Sequence, residues 1–185
     1  MPESFPDPLR ETRLATETVF RGRLLEVRRD TVRLPNAQTA SREYIVHPGA
    51  VAILPLLDNG DLLFERQFRY PVGKSFLELP AGKIDPGETG AAAAVRELRE
   101  ETGYIAHDWQ SLGPIHPCIG YSSEHIEIFV ARQLTRVSAP TLDAEEFLEL
   151  RPLSLATIHA AILNGDITDA KTLAALYLAQ LHQLF

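Results

Sequence analysis

An acidic cluster near the end of a predicted helix, over residues 91–102, constrains this chain more than any other feature. The segment is rich in alanine, leucine, arginine and glutamate, which favour helices, and Gly103 follows where helix C-termini favour glycine. Glu97, Glu100 and Glu101 are spaced i, i+3 and i+4, so their carboxylates share one helix face. Mutual repulsion and the helix dipole each oppose this cluster by a few tenths of a kcal/mol to about 1 kcal/mol. Stability alone therefore does not explain the arrangement.

A bound divalent cation would remove this conflict, because Mg2+ and Mn2+ prefer carboxylate and carbonyl oxygens. The alternative is a solvated acidic helix face, which is what most charge runs on helices are. An apolar stripe runs beside the acidic face, formed by Ala91, Ala94, Val95 and Leu98. This stripe would let the helix pack on a core while presenting its carboxylates to a cleft. Because the glycine at position 82 lets backbone approach a ligand closely, the surroundings favour the metal site.

The same segment resembles the signature of the Nudix hydrolases, written G-x5-E-x7-R-E-U-x-E-E-x-G-U with U a bulky apolar residue. The chain departs from this Nudix motif only at the last position, where Tyr104 replaces the commoner aliphatic residue. Because the matching positions are chemically defined and widely spaced, the match is far more specific than a lone glycine motif. The matching residues are Gly82, Glu88, Arg96, Glu97, Glu100, Glu101 and Gly103.

The resemblance implies hydrolysis of a nucleoside diphosphate linked to another moiety, with Mg2+ or Mn2+ as cofactor. The implied metal ligands are Glu97, Glu100, Glu101 and the backbone carbonyl of Ala81. Arg96 and Glu88 would orient them, since a guanidinium can hold the Glu100 carboxylate in one rotamer. Arg96 and Glu100 are thereby assigned to the catalytic group. The chain has a net charge of -7, so attraction for the charged diphosphate oxygens must come from the cations.

The general base is expected outside the Nudix motif. In the branch of the family that cleaves ADP-ribose, glutamates in a later loop act as base and as a further metal ligand, and the corresponding stretch is 142–147. A gapless alignment puts Glu146 at the metal-linked position and Ala144 at the usual base position. Glu145 and Glu146 are the candidates for the base, and the alternative is that both are exposed loop acids.

The sequence around the motif resembles the ADP-ribose and ADP-sugar pyrophosphatase branch over residues 19–175, including Gln67-Phe68-Arg69. The resemblance implies that Arg69 and Arg42 contact the diphosphate or the ribose, because a guanidinium can bind two oxygens at once. For each arginine the alternative is a surface residue at a strand end.

A later segment, residues 117–124, bears on the choice of substrate. It keeps the glycine, the aromatic residue and the glutamate of the branch, and Glu124 is assigned to substrate binding. Ile119 stands where a proline marks ADP-ribose preference. The expected reaction is hydrolysis of ADP-ribose to AMP and ribose 5-phosphate, and related nucleoside diphosphate sugars stay open as substrates.

Two alternatives compete with this hypothesis. One is a non-catalytic module of the same fold that senses a nucleotide sugar; the retained acidic cluster argues against it, because without a cation it only costs stability. The other is a hydrolase of a different nucleoside diphosphate derivative, such as an oxidised nucleotide or an RNA cap. Arginines before Ala50 are interleaved with acids, whereas nucleic acid favours an unbroken basic surface, so no nucleic-acid partner is expected.

Length and composition predict one compact domain, because 185 residues with 45% apolar content suffice for a single core. The lone cysteine, Cys118, cannot form an internal disulfide, which favours a reducing cytoplasmic compartment. Neither a leader peptide nor an apolar stretch of membrane-spanning length is seen in the sequence, so secretion and membrane insertion are not expected.

The element order predicts an α+β fold, with a mixed sheet between helices as in the α/β/α sandwich of the Nudix fold and with N-terminal antiparallel strands. We expect a loose segment over 1–14 and a single domain over 15–185. Predicted strands are 17–34, 42–47, 51–57, 62–67, 109–115, 124–133 and 148–153, and predicted helices are 91–102, 154–163 and 169–181. Asp58-Asn59-Gly60 predicts a hairpin between two of these strands. By resemblance, the strands over about 17–47 would form the interface of a homodimer.

Overall fold

The structure is a computed structural model that describes residues 7–142 and 144–185. Residues 1–6 of the predicted loose segment, and Asp143 in the predicted base loop, lie outside the described residues. The described strands are β1 (Thr12–Arg21), β2 (Glu26–Arg33), β3 (Thr39–Val46), β4 (Ala50–Pro55), β5 (Leu62–Arg69), β6 (Lys74–Glu78), β7 (Ala81–Lys83), β8 (Tyr104–Ile115), β9 (Ile126–Arg136) and β10 (Leu148–Leu153). The helices are α1 (Gly90–Thr102), α2 (Leu155–Asn164) and α3 (Ala170–Leu181).

The described chain divides into two compact units, and the first comprises residues 7–47 and 118–124. Its sheet has the order β1-β2-β3, with both neighbouring pairs antiparallel. β1 starts at Thr12, opposite Arg33 of β2, so residues 12–14 belong to this sheet and not to a loose terminus. Pairing with β2 gives Thr12 and Arg13 backbone partners that composition alone did not indicate, while Leu14 lies at a register shift. That the whole of 15–185 is a single domain stays a prediction.

The second unit comprises residues 48–117, 125–142 and 144–185 and contains two sheets. One is mixed, in the order β7-β4-β9-β8, with β4 and β9 parallel; the other is antiparallel, in the order β10-β5-β6. The central strand β4 is wholly buried, and its side chains alternate between two clusters. Val51 and Ile53 pack with α1, whereas Ala52 and Leu54 join a cluster that includes residues of α2 and α3. The predicted mixed sheet with flanking helices is thereby confirmed.

The predicted hairpin at Asp58-Asn59-Gly60 is wrong in its pairing, although the turn itself forms. The Gly60 N–H donates to the Leu57 carbonyl, and one isolated bridge joins Leu56 to Leu62. Beyond that bridge β4 and β5 enter different sheets. Each strand already pairs with two other strands, β4 with β7 and β9 and β5 with β6 and β10, so neither has a free edge for the other.

Helix α1 begins and ends where capping chemistry predicts. The Thr89 hydroxyl accepts the Ala92 N–H at 3.2 Å, and Gly103 closes the helix in the left-handed region at φ 74°. A Cβ at position 103 would lie 2.3 Å from the Ser138 carbonyl oxygen, so both φ and space require glycine there. These two caps fix where the acidic end of α1 stops.

None of the helices in the described ranges is long and apolar enough to cross a membrane.

Candidate active site

The acidic end of α1 packs against strand β7, which contains Ala81 and the first glycine of the motif, Gly82. The Ala81 N–H donates to Glu101 Oε2 at 3.0 Å, and Glu101 is buried at 3% exposure. A Cβ at Gly82 would lie 1.9 Å from the Glu97 carboxylate, so glycine is what lets the strand and the carboxylate approach. Glu100 is the most exposed of the three acids, at 45% of its side chain. The structure therefore brings the predicted metal ligands of α1 and β7 together.

Arg96 joins three of the motif glutamates through its guanidinium. Its Nη1 donates to Glu97 at 2.7 Å and to Glu100 at 3.1 Å, and its Nε and Nη2 donate to Glu88 at 3.1 and 2.9 Å. Nη2 also donates to the Lys83 carbonyl at 3.0 Å. The bonds from Arg96 lower the pKa of Glu88. Arg96 thus fixes the rotamers of carboxylates that would otherwise repel one another.

The apolar stripe predicted for α1 is shifted in the structure. Ala94 and Leu98 are buried, but Ala91 is exposed and so is Val95 at 48%. The buried face also includes Glu101 and the small Ala93, which packs in the same cluster as Val51 and Ile53 of β4. Exposed Val95 lines an open cavity of about 600 Å³ whose other walls include Arg96, Arg99, Glu100 and Thr141.

A second charged cluster, which the sequence analysis missed, lies at the end of β6. Glu78 is 2% exposed and accepts hydrogen bonds from Arg69 at 2.7 and 2.9 Å and from Lys171 of α3. Lys171 also donates to Asp169 at 3.1 Å. Arg69, predicted as a substrate ligand, therefore has a protein partner in Glu78. Lys171 stands 93 positions from Glu78, so no local pattern pointed to the pair.

Glu65 is a further acid that the sequence analysis missed. It lies opposite Glu78 in the β5–β6 pair and is 0% exposed, and within the described residues neither of its carboxylate oxygens has a hydrogen-bond partner. Burial, followed by the negative charge of Glu78, raises the pKa of Glu65 to about 8. The sequence did carry one signal: Glu65 directly follows the three apolar residues Leu62, Leu63 and Phe64, which form the rest of the buried part of β5.

The two predicted base candidates differ in their surroundings. Glu146 accepts a weak hydrogen bond from Gln67 Nε2 at 3.4 Å and is partly buried. Burial raises the pKa of both Glu97 and Glu101, and the charge of Glu146 contributes to each of these shifts. Glu145 is exposed in a turn. The loop therefore brings Glu146 within electrostatic reach of the α1 carboxylates.

The other two predicted substrate residues, Arg42 and Glu124, belong to the first unit. Arg42 donates to Glu11 at 3.0 Å from Nε and at 2.5 Å from Nη2. Glu124 stands 3.7 Å from His47 Nε2, and its N–H donates to the Ser122 hydroxyl at 3.1 Å. Arg42 is therefore ion-paired within its own unit, and the Glu124 carboxylate lies beside His47 of that unit.

The donor chemistry of the site suits a hard divalent cation. The Glu97 and Glu101 carboxylates lie against the backbone of β7 at Gly82 and Ala81, and carboxylate and carbonyl oxygens are the donors that such a cation prefers. No three acidic, histidine or cysteine side chains within residues 7–142 and 144–185 already enclose a common point for a metal. One reason is that Arg96 forms ion pairs with Glu97 and Glu100, so its guanidinium holds carboxylate oxygens that a cation would use.

The chain matches models and sequences of known proteins over most of its length. Residues 46–176 match the model of the NUDIX domain, and residues 11–45 match that of the nucleoside diphosphate sugar hydrolase N-terminal domain. It is 34% identical to the ADP-ribose pyrophosphatase of Bacillus subtilis, over 95% of both chains. It is also 37% identical to the methanol dehydrogenase activator of Bacillus methanolicus, over 94% of both chains.

A solved structure agrees with these sequence matches. The crystal structure of an ADP compounds hydrolase superimposes with a TM-score of 0.83 at 30% identity, covering 95% of each chain. A NUDIX model that spans residues 46–176, and full-length relatives above 30% identity, are together sufficient to assign the family. The chain therefore belongs to the Nudix hydrolase family.

Proposed function

We propose that the protein hydrolyses the diphosphate bond of ADP-ribose, or of a related nucleoside diphosphate sugar, with Mg2+ or Mn2+ as cofactor. The observation that carries this proposal is the packing of buried Glu101 and Glu97 against Ala81 and Gly82, which groups oxygen donors at one place. A relative that matches nearly the whole chain is an ADP-ribose pyrophosphatase, and this supports the substrate class.

The positions of the residues suggest a separate role for each in the reaction. Glu97, Glu100, Glu101 and the Ala81 carbonyl would hold the cation, with Arg96 fixing their orientation. When bound, the cation supplies attraction for the diphosphate oxygens and acidifies a water molecule. Glu146 would accept the proton of the attacking water, because it stands in a partly buried position within electrostatic reach of Glu97 and Glu101.

Separate replacement of the two loop glutamates locates the base. We expect Glu146→Gln to lower kcat by about a hundredfold or more, since a general base contributes roughly 10²–10⁴. We expect a smaller loss for Glu145→Gln, because this side chain is exposed. Steady-state kinetics with saturating Mg2+ measures both, and a larger loss in Glu145→Gln would move the base to position 145.

The substrate proposal is tested by a panel that contains ADP-ribose, ADP-glucose, GDP-mannose, NADH and diadenosine polyphosphates. We expect the fastest nucleoside monophosphate release from ADP-ribose, with loss of activity when a chelator removes the cation. Ile119 is 84% exposed in a turn, in place of the proline expected for ADP-ribose enzymes. Faster turnover of another sugar nucleotide would assign that compound as the preferred substrate and leave the reaction class unchanged.

One relative favours the sensing alternative, since the Bacillus methanolicus protein is named as the activator of a methanol dehydrogenase. A sensing module would bind a nucleotide sugar without releasing AMP. Titration calorimetry with ADP-ribose, followed by chromatography of the same sample, distinguishes a sensing module from a hydrolase. Heat of binding with intact ADP-ribose after prolonged incubation with Mg2+ or Mn2+ would support the sensing module.

We further propose that the protein is a homodimer through its first unit. Every residue of β1 is exposed, and β1 is an edge strand that carries the apolar side chains Leu14, Val19 and Phe20. A second copy would cover this surface, as exposed apolar strand edges favour pairing. Sedimentation equilibrium is expected to give twice the chain mass of 20.6 kDa, and a mass of one chain would contradict the dimer.

We place the reaction in the cytoplasm. Cys118 is a free thiol and the only cysteine of the sequence, which is typical of proteins in reducing compartments. Fractionation of cells that express the tagged protein checks this placement.

A further inference from the structure

The Leu79-Pro80 dipeptide connects β6 to β7 and leads directly into the proposed site. β6 ends at Glu78 and β7 begins at Ala81, so both residues lie between the two strands. Leu79 is 0% exposed, and a backbone N–H buried at such a position is costly unless it finds an acceptor. Two residues later, the Ala81 N–H donates to Glu101 Oε2 at 3.0 Å. The path of this connection therefore decides where β7 meets the acidic end of α1.

Helix α3 supplies the acceptor for the Leu79 N–H. This N–H donates to the hydroxyl of Thr172 at 3.0 Å, and Thr172 is 0% exposed. The same hydroxyl donates to Asp169 Oδ2 at 2.7 Å. Because an ionised carboxylate can only accept, the hydroxyl hydrogen points to Asp169 and an oxygen lone pair is left for Leu79. Asp169 thus orients the Thr172 hydroxyl toward the connection.

The packing of α3 does not explain a polar side chain at position 172. The buried residues of this helix are Thr172, Ala175, Leu176 and Ala179, and the last three are apolar. Valine has the same shape as threonine and would pack there without a hydroxyl to satisfy. The hydroxyl is used for the N–H of Leu79, which lies 93 positions earlier in the chain. What the hydroxyl adds is a fixed position for the backbone at Leu79.

A position fixed at Leu79 is carried to Ala81 with little freedom. The intervening Pro80 has a fixed φ, and its carbonyl accepts a backbone N–H of β4 at 2.9 Å. Ala81 stands at most about 7 Å further along the chain, since even an extended chain advances only about 3.3 Å per residue. A shift at Leu79 would therefore change the bond between the Ala81 N–H and Glu101.

We propose that Thr172, oriented by Asp169, is a positioning residue for the active site. It fixes the β6–β7 connection so that β7 presents Ala81 to Glu101 in the geometry that hydrolysis needs. The inference rests on the proposed function, which assigns Ala81 and Glu101 to the site, and it adds a residue of α3 from outside the Nudix motif. A misplacement of about 1 Å can cost about a hundredfold in rate, even when its origin is remote from the chemistry.

Amide hydrogen exchange, followed by NMR, tests this positioning without reliance on turnover. Thr172→Val keeps the shape of the side chain and removes the acceptor of the Leu79 N–H. We expect exchange to accelerate by at least about tenfold at Leu79 and also at Ala81, because both N–H groups lose a fixed partner. The control is Ile158→Val, which trims a side chain of α2 that is 0% exposed and leaves Thr172 in place. It corrects for the faster exchange that follows from lower global stability alone.

The kinetics of ADP-ribose hydrolysis at saturating Mg2+ measure the consequence for the site. We expect Thr172→Val to lower kcat by about tenfold to a hundredfold and to change KM much less, because alignment and not binding is lost. Thr172→Ser keeps the hydroxyl, so it should retain the parental kcat and the slow exchange at Ala81, although loss of a buried methyl group lowers its Tm. Ile158→Val should likewise lower the Tm and leave kcat unchanged.

A purely structural role of Thr172 predicts a different set of results. Parental kcat and parental Ala81 exchange in Thr172→Val, with only the Tm lowered, would overturn the inference. If that variant fails to fold, Thr172→Cys keeps a side chain of similar size with a weaker acceptor. It should show changes of the same sign, and parental kcat and exchange there would also overturn the inference. Faster Ala81 exchange in Thr172→Val, in a protein that cleaves no sugar nucleotide, would support the positioning of Ala81 by Thr172 and count against the proposed function alone.

Discussion

Replacement of Glu101 by glutamine is expected to lower kcat/KM for sugar-nucleotide hydrolysis by about two to four orders of magnitude. An amide oxygen carries no net charge and binds Mg2+ weakly, and the several kcal/mol that a metal contributes to the transition state correspond to a loss of this size. Glutamine has nearly the same volume as glutamate. Its carbonyl oxygen can still accept the Ala81 N–H, which Glu101 accepts at 3.0 Å. The variant should therefore fold like the parent.

Initial rates of AMP release from ADP-ribose, at several Mg2+ concentrations, measure the effect of Glu101→Gln. The matched control is Glu149→Gln, which removes an exposed carboxylate from β10. Circular dichroism and the Tm establish that both variants are folded. A Glu101→Gln protein as active as the parent would remove Glu101, and with it the metal assignment of α1, from the active site.

The sequence predicted α1 and the placement of its three acids correctly, because their determinants are local. The helix, its glycine stop at Gly103 and the shared face of Glu97, Glu100 and Glu101 all follow from spacing within about one dozen residues. The N-cap residue Thr89 was not among the predictions, although it acts on an N–H only three positions later. Local spacing suffices because a helix makes its hydrogen bonds within itself.

Strand pairing was harder to predict because it depends on partners far along the chain. A turn at Asn59-Gly60 forms, yet β4 and β5 pair elsewhere, β4 with β9 in parallel and β5 with β6 and β10. The short strands β6 and β7 were both missed. For β7, the Leu79-Pro80-Ala81-Gly82 stretch is typical of a loop by composition. Only the tertiary pairing of Ala81 and Gly82 with β4 makes it extended.

The buried charged residues of β5, β6 and α3 were missed for a related reason. Glu65 and Glu78 become neighbours through the β5–β6 register, and Lys171 reaches Glu78 from α3. An acid in an apolar run is visible in sequence, but its partner, or the lack of one, is a property of the folded chain. Motif positions therefore placed the acids of α1 on one helix face, whereas the charge contacts of Glu65, Glu78 and Lys171 became visible only in the folded chain.

Lys171→Met is expected to lower the free energy of unfolding by about 3 kcal/mol, because removal of one partner leaves a buried charge uncompensated. Lys171 is 12% exposed and binds both Glu78 and Asp169, so methionine would keep the packing and lose both ion pairs. Glu78 would retain Arg69, which keeps the loss below that of an isolated buried carboxylate. Urea unfolding measures the change in the free energy of unfolding. The control is Lys74→Met at an exposed position, which removes only the contact between Lys74 Nζ and the Phe76 ring, 4.7 Å from the ring centroid. This control should cost at most about 1 kcal/mol.

A double variant identifies the cause of that loss. If the uncompensated Glu78 charge is responsible, adding Glu78→Gln to Lys171→Met should restore part of the stability, since the neutral amide needs no cation. Arg69 would then lose its partner, but 41% of its side chain is exposed, so water can solvate the guanidinium. If the double variant is instead less stable than Lys171→Met, the contribution of Lys171 lies in packing α3 against β6, and the electrostatic explanation is wrong.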